Sequence, residues 1–105
     1  MAWLFLGLAI VSEVIGTLAL KASDGMSKLV PSVIVVVGYL TAFFLMSQTL
    51  KTIPVGVTYA IWSGLGIVGA TVGAYLLFGQ ALSKQALLGM LIIVIGVIVL
   101  NLNSK

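Results

Sequence analysis

The chain has 105 residues, 62% of them hydrophobic and 7% charged, against about 45–50% and about 25% in soluble domains. Seven charged side chains cannot coat a globule of this size, so a water-soluble fold is excluded and the apolar surface faces lipid. With no Cys and no His, thiol nucleophiles, disulfides, histidine relays and thiolate or imidazole metal sites drop out; the net charge of +3 comes from scattered lysines, which form no basic cluster for nucleic acid.

The first apolar run predicts a helix over 3–21 with Glu13 near its middle. An acid at that depth costs a few kcal/mol, and such residues are functional candidates by default. Every Lys lies near the end of a span, so Glu13 has no fixed cation to pair with inside the membrane. Helical spacing puts Ala9, Gly16 and Thr17 beside it, small residues that leave room for a guest or for another helix. A cation and proton site is one reading of Glu13; a protonated packing residue that hydrogen-bonds between helices is the other.

The second run predicts a helix over 29–50, with Pro31 in its first turn, where a missing N–H costs least. Tyr39, Ala42, Phe43 and Met46 share a stripe that could complete an aromatic chamber. The third run, 55–78, follows Pro54 and gathers Tyr59, Trp62, Ser63, Gly66, Gly69 or Ala70, and Gly73 on one face. Aromatic walls beside a carboxylate suit lipophilic cations, although Tyr59 and Trp62 also fit an interfacial aromatic belt. Gly64 and Gly66 fit a hinge, and close packing would equally explain them. The fourth run, 85–102, aligns Gly89, Ile93, Gly96 and Leu100 at heptad-like spacing, a stripe expected to be a dimer interface.

These spans make an all-α membrane protein, with residues 1–105 as one domain of four transmembrane helices. Lys21, Lys28 and Lys84 fall on one side, Lys51 and Lys105 on the other, so the positive-inside rule gives almost no instruction. Insertion both ways up, followed by pairing as an antiparallel homodimer, is the expectation; a fixed topology set by weaker cues is the other reading. One four-helix chain hardly encloses a polar path in lipid, whereas two copies bring eight helices and two Glu13 carboxylates.

The chain resembles the small multidrug resistance transporters over nearly its whole length. The resemblance is carried by Glu13-Val-Ile-Gly-Thr17 with Lys21, Pro31-Ser32, Gln48-Thr-Leu50, Ile53-Pro-Val-Gly56, Tyr59-Ala-Ile-Trp-Ser-Gly-Leu-Gly66, Phe78-Gly-Gln80, Gly89 and Gly96. It implies a four-helix antiparallel homodimer in the bacterial inner membrane that exports small organic cations in exchange for protons, with no cofactor beyond the proton gradient. It implies that proton and substrate share Glu13, that Tyr59 and Trp62 line the site with Tyr39 and Phe43 at further pocket positions, and that Ser63 hydrogen-bonds near the acid.

The family's guanidinium-exporting branch usually has Trp where this chain has Gly16 and Ser where it has Ala42, and both departures point to the quaternary-ammonium and multidrug branch. Met1-Ala-Trp-Leu4 and Gly69-Ala70 look more like the guanidinium branch, which stays open as the alternative. A membrane subunit without transport activity is the rival from another class.

Overall fold

Four long apolar runs fold into four helices in a computed structural model that describes residues 1–103. They are α1 (Ala2–Ala22), α2 (Leu29–Thr49), α3 (Val55–Phe78) and α4 (Lys84–Asn103), and no strand occurs among the described residues. Each is long and apolar enough to cross a membrane, since about 20 residues at 1.5 Å per residue span a hydrocarbon core of about 30 Å. Lys105, counted above among the loop charges, lies outside the described residues.

Local chemistry sets the ends. The Ser23 hydroxyl donates to Leu20 O (2.7 Å) and accepts from Met26 N (2.9 Å), closing α1 and starting the turn. Asp24, Gly25 and Met26 then run consecutively through left-handed backbone, with φ of 50°, 72° and 68°. Pro54 precedes α3 in extended conformation and its carbonyl accepts from Thr58 N at 3.0 Å. Gly79 ends α3 at φ 67°, and Ser83 Oγ accepts from Ala86 N at 3.0 Å at the start of α4.

Helix α1 packs against α2 and α3, and α4 packs against α3. Small residues mark each seam, because lipid offers helices no hydrophobic reason to associate and close backbone approach supplies the attraction instead. Between α1 and α2 the backbones nearly touch: a methyl on Gly38 would lie 3.0 Å from Ser12 O and 3.2 Å from Gly16 Cα. On α3, Gly69 receives Val14, Gly73 receives Leu18, and Gly64 receives Ile93 and Val97 of α4. The buried cluster comprises Leu6, Ala9 and Ile10 of α1, Met46 of α2, the connector residue Ile53, and Val57 and Ile61 of α3. Glu13 lies one helical turn beyond this cluster on α1. The result is a thin slab of 44 × 34 × 17 Å.

Candidate functional site

Glu13 lines a cleft of about 360 Å³ between α1 and α3, walled also by Thr17, Tyr59, Trp62, Ser63, Gly66, Ile67 and Ala70. Its two oxygens have different neighbours. Oε1 accepts a hydrogen bond from the Thr17 hydroxyl at 2.9 Å, one turn along the same helix. Oε2 faces α3, where a methyl on Gly66 would lie 3.2 Å from it. Thr17 Oγ1 also lies 2.9 Å from the Tyr39 hydroxyl, so three side chains from α1 and α2 form one continuous chain of hydrogen bonds.

Four rings form a row alongside. Tyr39 stacks on Phe43 (centroids 6.4 Å apart, planes at 26°), Phe43 meets Trp62 edge to face (6.1 Å, 89°), and Trp62 meets Tyr59 likewise (5.9 Å, 71°). These are the offset and T-shaped geometries that ring quadrupoles favour. Trp62 and Tyr59 wall the cleft itself, while Tyr39 and Phe43 extend the row onto α2. Tyr59 is 63% exposed within the single chain, so the cleft opens outward there. Residues 59, 62, 63, 66 and 70 reach the wall together because their spacing keeps them on one side of an unbroken helix.

Other expected positions lie elsewhere. Ala9 is fully buried in the packed cluster with Leu6 and Ile10, away from the cleft wall. Gly16 does not widen the chamber: the Tyr39 ring fills its place, and a methyl there would lie 2.9 Å from ring carbons Cδ1 and Cε1. Gly64 and Gly66 sit inside continuous helix, Gly64 against α4 and Gly66 against the carboxylate. Of the α4 stripe, Ile93 contacts α3, whereas Gly89 and Gly96 have open space around them and Leu100 is exposed. Ile67 and Ala70 are wall residues; Ile67 was missed, though its position four residues after Ser63 was available as a signal. A second hollow of about 330 Å³ between α1 and α2 is walled mainly by Ile15, Val33, Ile34 and Val37 and contains no ionisable group.

The model of the family described as Small Multidrug Resistance protein matches residues 1–93. The chain belongs to the small multidrug resistance family. Its relatives include a quaternary ammonium compound-resistance protein, QacE of Escherichia coli, 58% identical over 98% of this chain and 94% of the relative. QacF of Klebsiella aerogenes, bearing the same description, is 54% identical over the same shares, and the multidrug transporter EmrE of Escherichia coli K12 is 46% identical over the same shares. This small multidrug resistance protein is thus a member of a transporter family rather than an enzyme, a multi-pass protein of the bacterial inner membrane.

Proposed function

We propose that this small multidrug resistance protein exports hydrophobic and quaternary ammonium cations in exchange for protons, by alternating access, as an antiparallel homodimer. The observation that carries the reading is the lone Glu13 carboxylate, hydrogen-bonded to a hydroxyl and set in a cleft with Tyr59 and Trp62 on its wall. A desolvated cation over a ring face gains about 2 kcal/mol or more, and the carboxylate supplies the opposite charge. Proton and cation both require Glu13, so each displaces the other, and that competition couples the two flows. Ser63 and Thr17 add hydroxyls to a wall otherwise made of rings, Gly66, Ile67 and Ala70.

Three features support pairing: the near-even split of lysines between the two sides, the 17 Å thickness of a single chain, and a cleft open to the outside at Tyr59. Gly89, Gly96 and Leu100 of α4, with Ile93 at their edge, present the surface for the second copy. Opposite orientation makes the inward-open and outward-open states equivalent, each chain taking over the conformation of the other.

The test records proton uptake and transported charge together in proteoliposomes given tetraphenylphosphonium, a quaternary ammonium ion and guanidinium in turn, with Glu13→Gln as control. Bulky cations should drive proton movement that Glu13→Gln abolishes. A response to guanidinium alone would move the protein to the other branch of its family. No response to any of the three would overturn the transport reading.

A further inference from the structure

The carboxylate of Glu13 has two sides, and the structure gives them different company. Oε2 faces Gly66 across the cleft, while Oε1 is tied through Thr17 Oγ1 to the Tyr39 hydroxyl, by two contacts of 2.9 Å each. Tyr39 is half-buried and is not one of the residues that wall the cleft. From these placements we infer that the cation and the proton use separate routes to Glu13: the cation through the cleft, the proton along the hydroxyls of Thr17 and Tyr39. The inference rests on Glu13 being the shared proton and cation site.

The hydrogen count fixes the direction of each bond. Thr17 has one hydroxyl hydrogen, so when it donates to ionised Glu13, the contact with Tyr39 requires Tyr39 to donate to Thr17. With a proton on Oε1 the chain runs the other way: Glu13 donates to Thr17, Thr17 to Tyr39, and Tyr39 to a water beyond it. Deprotonation is then one concerted shift. The Oε1–H bond breaks as a new O–H bond forms on Thr17, the old Thr17 hydrogen passes to Tyr39 Oη, and the old Tyr39 hydrogen passes to the water. Both hydroxyls end neutral, Glu13 ends ionised, and a single proton has left the site by way of Thr17 on the cleft wall and Tyr39 outside it.

Gly16 makes the geometry possible. Any side chain there would meet the Tyr39 ring at 2.9 Å and drive the hydroxyl away from Thr17. Gly16, one of the two departures noted from the guanidinium branch, therefore also sets whether this hydroxyl chain closes.

The experiment is stopped-flow measurement of proton release when tetraphenylphosphonium binds the full-length protein in lipid nanodiscs, in weak buffer with a pH-sensitive dye. Wild type is compared with Tyr39→Phe, Thr17→Val and Thr17→Ser. Removing either hydroxyl should slow proton release about a hundredfold, the lower end of what a positioned proton-transfer group supplies. Thr17→Ser, which keeps the hydroxyl, should restore a near wild-type rate. Release as fast in Tyr39→Phe as in wild type overturns the inference, as does a smaller amplitude at unchanged rate. Tyr39→Phe removes a single oxygen and carries the test if Thr17→Val does not assemble. If wild type itself releases no proton, the antiport reading fails instead.

Discussion

Gly64 and Gly66 lie two residues apart on α3, and the structure assigns them different tasks, which a pair of alanine substitutions separates. A methyl on Gly66 would lie 3.2 Å from Glu13 Oε2, on the cleft side of the carboxylate, where the proposed cation would approach. If it displaces one charge-assisted contact worth about 1.5–3 kcal/mol, affinity falls roughly 10- to 150-fold. A methyl on Gly64 would lie 2.7 Å from Val97 Cγ2 and 3.1 Å from Ile93 Cγ2, so it overpacks the α3–α4 seam at a cost of about 1–3 kcal/mol in stability. It touches nothing at the carboxylate. Equilibrium binding of radiolabelled tetraphenylphosphonium at alkaline pH, where protons compete least, should show Gly66→Ala weakened by at least about tenfold and Gly64→Ala within about twofold of wild type. Equal losses in the two variants, as a shared hinge would give, would refute this assignment. So would unchanged affinity in Gly66→Ala.

Two further predictions concern the seams. Gly38→Ala should lower the thermal midpoint in detergent clearly more than Gly73→Ala, because the first methyl meets the Ser12 carbonyl and Gly16 backbone, whereas the second meets the flexible end of Leu18. The expected costs are about 1–3 kcal/mol and below about 1 kcal/mol. Gly96→Trp should abolish dimers in size-exclusion chromatography while leaving helical circular dichroism intact, since among the described residues none beyond its own stretch of α4 lies within 4 Å of a methyl at that position; dimers that survive the change would move the interface elsewhere.

The four spans were legible because each connecting segment is short and polar, and because Pro54 marks the boundary before α3. The depth of Glu13 was legible for the same reason: a charge inside an apolar run is visible to counting alone. Which way each apolar face points was not. In a soluble protein polar residues mark the outer face, but here the outside is lipid, and Val14 and Leu18 in the α1–α3 seam look no different from Val11 and Ile15 outside it. Thus Ala9 was expected beside the acid and lies in the packed cluster, and the α3 face that carries Gly69 and Gly73 receives α1 side chains there. Gly16 carries the sharpest lesson. Its lack of a side chain reads as empty space, yet Tyr39, 23 positions further on, occupies it.

The row of four rings gives the protein an optical reporter of its own. Its two tryptophans occupy unlike surroundings: Trp62 lies between Phe43 and Tyr59 on the wall of the cleft, and Trp3 is exposed near the start of α1. A cation that settles against the indole of Trp62 changes the emission of one tryptophan and leaves the other as an internal reference. If the cleft takes the proposed cation, its occupancy is read in the intrinsic fluorescence, with Trp3→Phe isolating the signal and no dye attached to the chain.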